Sequence, residues 1–205
     1  MPELSDIAAI VLAAGTSRRF GSDKLLHPVT LHGVKRSLAV HSILPWLEVF
    51  EQITVVVRPG AEKIRSEFQA VLSRNASYAI RWVVCEEAEK GVANSLASGV
   101  DANLEASGWL IGLADMPAVP IAAIVEVQNA LKSGAVLAAP FCDGQRGHPV
   151  GFSSRYREEL LALQGDRGAR SLLKRDISSL VQIQINHNGI LADIDQLSDL
   201  QSLRA

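Results

Sequence analysis

Five short apolar runs punctuate the first two thirds of the chain, at 7–14 (IAAIVLAA), 52–57 (QITVVV), 79–84 (AIRWVV), 109–114 (WLIGLA) and 135–140 (AVLAAP). The first is β-branched and apolar at successive positions, the pattern of a strand covered on both faces. The other four repeat it. Between them, 37–48, 61–74, 92–106 and 121–133 carry the helical period. Strands alternating with helices predict a mostly parallel sheet with helices on both faces and right-handed crossovers. The last third reads differently: a strand at 148–153, an amphipathic helix at 155–164 ended by Gly165, and a short helix at 169–176. The alternating LVQIQIN at 180–186 predicts a half-buried strand, LADID at 191–195 a short strand, and 197–204 a closing helix. No repeat, low-complexity tract or linker interrupts the chain, so a single domain over 1–205 is expected.

Ligands of open parallel sheets gather at the carboxyl ends of the strands. Three features fall there: the segment from Gly15, Asp115, and the segment from Asp143. They are predicted to converge.

Composition narrows the classes. The 205 residues are 48% hydrophobic and 20% charged, with a net charge of −2. Bulk charge therefore points to neither nucleic acid nor a membrane surface, and any anion site must be a local cluster. The two cysteines, Cys85 and Cys142, have no zinc spacing and make no disulfide framework, which fits free thiols in a cytoplasmic protein. The start, MPELSD, is acidic and its apolar run short, unlike a signal peptide or a membrane span.

The local cluster is at 10–26, IVLAAGTSRRFGSDKLL. Glycine after a buried strand lets the chain turn tightly and lets a ligand approach the amides. Arg18, Arg19 and Lys24 add full charges that suit a triphosphate. Gly15 and Gly21 are five residues apart and Lys24 follows three later, so the P-loop spacing fails. The G-x-G-x-x-G dinucleotide fingerprint is absent. A solvated surface loop is the plain alternative.

The loop resembles the L-A-A-G-x-S-x-R-[M]-G-x-x-K signature of nucleotidyltransferases, matching at Leu12, Ala13, Ala14, Gly15, Ser17, Arg19, Gly21 and Lys24, with Phe20 in place of methionine. The resemblance implies a three-layer α/β/α fold with a mostly parallel, Rossmann-like sheet of the nucleotidyltransferase type. It implies that Gly15, Thr16 and Ser17 lie on the nucleotide phosphates, with Arg19 and Lys24 stabilising the leaving pyrophosphate. LADMP at 113–117 then offers Asp115 as a Mg²⁺ ligand, where the residues alone allow an Asp capping the next helix beside Pro117. DIDQLSDL resembles the family's DIDTPEDL ending and supplies Asp193 or Asp195 as a second metal ligand. Gly91 and Ser95 in EKGVANSLASG match the segment that lies against base and ribose.

DGQRGHPVGFS and LQGDRGARSLL are similar to segments of molybdenum cofactor cytidylyltransferases. They nominate His148, Arg167 and Arg170 for the acceptor, with Arg146 equally placed, although each can instead be structural or a solvated charge. Ala14, where GTP-using relatives carry glycine, agrees with CTP. The implied reaction is Mg²⁺-dependent transfer of CMP from CTP to the phosphate of molybdopterin. The N-terminal part would bind the nucleotide and roughly 140–205 the acceptor. A molybdoenzyme client is a further expected partner, with no nucleic acid and no membrane. The rival readings are a nucleotidyltransferase for another phosphorylated small molecule and a non-catalytic cofactor-binding module for enzyme maturation. The segment 27–46 departs from the family pattern, with a role in acceptor choice or dimer contact open.

Overall fold

The structure, a computed structural model, describes residues 7–15, 20, 23–72, 79–166 and 168–204, the last four by their backbone alone. The five apolar runs form β1 (Ile7–Ala13), β4 (Ile53–Val57), β5 (Ile80–Val84), β6 (Gly108–Leu113) and β7 (Leu137–Cys142). The helical stretches form α1 (Leu38–Ile43), α2 (Glu62–Val71), α3 (Val92–Asp101) and α4 (Ile121–Lys132). The C-terminal third adds β8 (Gln145–Arg146), β9 (Val150–Ser153), α5 (Arg157–Leu161), α6 (Arg170–Arg175) and β10 (Leu180–Gln184).

The main sheet runs β10-β7-β9-β6-β1-β4-β5, with β8 paired to β7. The pairs β1–β4, β1–β6, β4–β5 and β7–β10 are parallel, and β9 lies antiparallel between β6 and β7. Parity along β1 divides the core as a doubly covered strand must. Ala9, Val11 and Ala13 face the cluster that holds α1, α2 and α4 through Ile43, Phe68 and Ile124. Ile10 and Leu12 face the cluster that holds α3, α5 and α6 through Leu96, Leu160 and Leu172. The three-layer, mostly parallel α/β/α expectation is met.

The atypical 27–46 segment contains a hairpin outside that sheet, β2 (Pro28–Leu31) and β3 (Val34–Ser37), paired antiparallel. Its two-residue turn, His32-Gly33, has φ of 49° and 76°, the positive values that a tight right-twisted hairpin turn demands. Leu31 and Val29 pack with Phe20, Leu38 and Ile194 in a small separate cluster.

One expectation is corrected. Residues 191–195 form no strand. They cross the end of β6, where the Ile194 N–H donates to the Asp115 carbonyl at 3.0 Å. The expected closing helix follows as a 3-10 helix, Leu197–Arg204, and Asp199 accepts from the amides of Asp195 and Gln196 at 2.9 and 2.8 Å. The apolar residue between the two acids, Ile194, is therefore a buried anchor and not one face of a strand. Among the described residues, no helix is long and apolar enough to cross a membrane.

Candidate active site

The carboxyl ends of β1 and β6 open into a cavity of about 400 Å³. Its wall includes Leu12, Ala13, Ala14, Gly15, Lys24, Gly91, Ser95, Asp115 and Asp195, residues spread over the whole chain. Parallel neighbours β1 and β6 end side by side, so the turn after Ala13 and the acid after Leu113 must meet. Asp115 caps no helix, since α4 starts only at Ile121, with Pro120 at its N-cap position.

Lys24 is 8% exposed and donates to Asp115 Oδ2 at 2.9 Å and to Asp195 Oδ1 at 3.1 Å. Burial works to lower the pKa of its ammonium, and the two carboxylates outweigh that, leaving it raised. Lys24 thus meets both acids at the cavity wall. Asp193 lies outside the cavity wall, and its pKa is raised by desolvation first and by Asp195 and Asp115 next. Of the two C-terminal acids, Asp195 is the one that shares a cation with Asp115.

Asp115 Oδ1 is buried and has no hydrogen-bond partner among the described residues. A buried carboxylate oxygen without a donor is costly unless something supplies positive charge. Among the described residues, no group of three or more His, Cys, Asp or Glu could hold a metal ion. Mg²⁺ needs fewer: one or two carboxylates, with phosphate oxygens and water completing its shell. The orphaned Asp115 oxygen beside Asp195 fits that donor set.

Gly91, at φ 131°, precedes α3. The Gly165 carbonyl sits 2.2 Å from where a Cβ of residue 91 would be, and it accepts from the Ala93 N–H at 3.0 Å. Asn94 Oδ1 accepts from the Gly165 N–H at 3.3 Å. The segment around 165 is thereby docked on the start of α3. On one side Asp166 lines the first cavity, and on the other Gly168, Ala169 and Arg170 line a second of about 310 Å³. The two cavities share Leu12, Val92 and Leu113, so they adjoin.

The second cavity holds Arg146, His148 and Arg170 over an apolar floor that includes Ile111, Val150 and Phe152. Burial lowers the pKa of the Arg146 guanidinium, and the neighbouring Arg170 charge adds to it. Burial also pushes the His148 imidazole down to about 4, with Arg146 contributing, so the ring is neutral at pH 7. His148 Nδ1 is buried without a partner among the described residues.

Asp143 and Gly144, with φ of 48° and 71°, form the turn of the β7–β8 hairpin and line neither cavity. The third feature expected at the strand ends contributes Arg146 instead. Thr16, Ser17, Arg19 and Arg167 lie outside the described residues. Sequence reasoning missed Asp166, which stands beside Arg167 in LQGDRGARSLL. It also missed Arg58, whose Nη1 donates to the Gly15 carbonyl at 2.8 Å and whose Nη2 donates to Asp23 Oδ2 at 2.6 Å. The only signal for Arg58 was its position directly after β4.

A crevice at parallel strand ends, with a glycine turn on one strand and an acid on its neighbour, defines an α/β nucleotide-handling protein. Residues 9–181 match the MobA-like NTP transferase domain, and the chain belongs to that family of nucleotidyltransferases. It is 31% identical to the purine catabolism protein PucB of Bacillus subtilis (strain 168), over 97% of this chain and 96% of that one. In fold it is similar to Rv0371c of Mycobacterium tuberculosis H37Rv, with a TM-score of 0.78, 22% identity, and 98% and 100% of the two chains covered. That protein was also solved in complex with manganese, with a TM-score of 0.74, 20% identity, and 97% and 98% covered. A nucleotidyl transferase from Methanothermobacter thermautotroptrophicus matches with a TM-score of 0.77 and 19% identity, over 97% and 96% of the chains.

Proposed function

We propose that this nucleotidyltransferase transfers CMP from CTP to the phosphate of molybdopterin, releasing pyrophosphate, and that it acts as one domain over 1–205. The observation that carries the reading is the pair of adjoining cavities. The first joins a glycine turn to an acid pair, and the second sets two arginines over an apolar floor. The first suits a triphosphate and the second an anionic acceptor with a flat apolar body. Ala14, buried in the wall of the first cavity, narrows it where a second glycine would leave room, which supports the smaller pyrimidine.

The acceptor phosphate is already a nucleophile at neutral pH. It attacks the α-phosphorus, a new P–O bond forms, the α–β P–O bond breaks, and pyrophosphate leaves. The chain's part is positioning and charge placement. Arg146 and Arg170, with Arg167, orient the acceptor anion, while neutral His148 leaves that anion its full attraction to the arginines. Gly91 and Ser95 border the base and ribose, and Leu12 and Ala13 border the phosphates with Gly15, Thr16 and Ser17. Arg19 and Lys24 stabilise the leaving group, Lys24 exchanging carboxylate for phosphate oxygens. Asp115 and Asp195, with Asp193 beside them, would hold Mg²⁺, which when bound supplies neutralisation of the triphosphate charge.

The proposed setting is the cytoplasm, with a molybdoenzyme as recipient of the product. The name of the relative PucB makes an enzyme of purine catabolism the recipient to try first. The test is a panel of CTP, GTP, ATP and UTP with Mg²⁺ or Mn²⁺, against molybdenum cofactor and other phosphorylated acceptors. Pyrophosphate release is expected with CTP and molybdenum cofactor. Release with a different acceptor would replace the substrate assignment, and no release with any pair would overturn the reading.

A further inference from the structure

We infer that Arg58 is a positioning residue for nucleotide binding, acting through Gly15 and Asp23 rather than by contact with the reacting atoms. The inference rests on the nucleotidyl-transfer reading of the first cavity. Arg58 follows β4, which pairs with β1 in parallel, so it emerges beside the turn that ends β1. One arm of its guanidinium donates to the Gly15 carbonyl at 2.8 Å, the other to Asp23 Oδ2 at 2.6 Å. The remaining oxygen of Asp23, Oδ1, accepts from the Leu25 N–H at 3.3 Å and caps the turn Lys24–Leu26.

Each contact fixes something on the cavity wall. The peptide group that begins at the Gly15 carbonyl is planar, so holding its oxygen sets the orientation of the whole unit. Asp23, once paired, starts the 3-10 turn on which Lys24 reaches Asp115 and Asp195. One side chain therefore ties together residues 15 and 23, the first of which lines the cavity while the second precedes Lys24, which also lines it. A planar fork with several fixed donors suits this task, whereas an ammonium is a point charge. The Arg58 and Asp23 side chains are 23% and 26% exposed, so they lie at the edge of the core and not within it. Their loss should disturb the site more than the fold.

The experiment compares Arg58→Ala, Asp23→Ala and the double variant in pyrophosphate release, varying nucleotide and acceptor separately. Arg58→Ala is expected to raise KM for the nucleotide about tenfold, from the loss of two charge-assisted bonds that orient the site. KM for the acceptor should stay within about twofold, and thermal midpoints should barely move. The double variant should fall short of the sum of the two single effects, because the Arg58–Asp23 bond is lost in both. An unchanged nucleotide KM, a parallel rise in both KM values, or additive effects would overturn the inference. Should Arg58→Ala fail to fold, Asp23→Asn keeps the side-chain size and is expected to give the same selective pattern. If the wild-type protein releases no pyrophosphate at all, the transfer reading falls separately. Calorimetric binding of CTP then decides the Arg58 inference: about tenfold weaker binding supports it and equal binding overturns it.

Discussion

Replacing Asp115 by asparagine separates its chemical role from its structural one. The substitution keeps the shape, keeps an oxygen for Lys24 and removes one charge. At 2.9 Å and an effective dielectric of about 20, the Lys24–Asp115 attraction is ~6 kcal/mol before desolvation is subtracted. The side chains are 10% and 25% exposed, so screening by water is modest, while the desolvation cost is considerable. Lys24 keeps Asp195 at 3.1 Å, and the variant also relieves repulsion among Asp115, Asp193 and Asp195. The net loss of stability is therefore expected to be small, ~1–2 kcal/mol, a typical value for one hydrogen bond to a charged group. Turnover should fall by about 10² or more, the usual cost of removing one electrostatic group from a transition state. Urea titration and pyrophosphate release measure the two effects on the same samples. Turnover within about tenfold of wild type would refute the metal-holding role of Asp115. A destabilisation above ~4 kcal/mol would show instead that the pair is chiefly structural.

Three further outcomes follow from the geometry. Gly91→Ala should cost ~2–4 kcal/mol in urea unfolding, because its Cβ would lie 2.2 Å from the Gly165 carbonyl oxygen and φ is 131°; an unchanged midpoint would refute the docking of the 165 segment on α3. Arg146→Gln should raise KM for the acceptor and leave that for the nucleotide, since Arg146 lines only the second cavity; an equal rise in both would refute the division of labour. His148 has a folded pKa of about 4 against 6.5, so the unfolded chain takes up its proton first as pH falls. Its contribution to stability is complete above pH 6.5 and is lost between there and pH 4, by up to ~3 kcal/mol. The stability difference between wild type and His148→Gln, followed by denaturant midpoints over that range, should shrink accordingly; a constant difference would refute the burial of a neutral ring.

The layers and the strand ends were legible in the apolar pattern alone. Apolar parity in 7–14 required a strand buried on both sides, and the helices between strands left little choice of topology. Gly15 and Asp115 were legible because a turn and an acid at strand ends need only local pattern. The C-terminal acids were visible as residues but not as geometry. LADID alternates like a strand, yet Ile194 is an anchor over the end of β6, a distinction only the partner of its N–H reveals. Which acid shares Lys24 with Asp115 likewise depended on where that anchor held the chain. Arg58 carried no motif, because a guanidinium that bridges residues 15 and 23 is recognisable only once β4 lies beside β1. These points share one cause. Periodicity records which face of a segment is dry, whereas hydrogen bonds and ion pairs between distant segments depend on how the dry faces come to lie together.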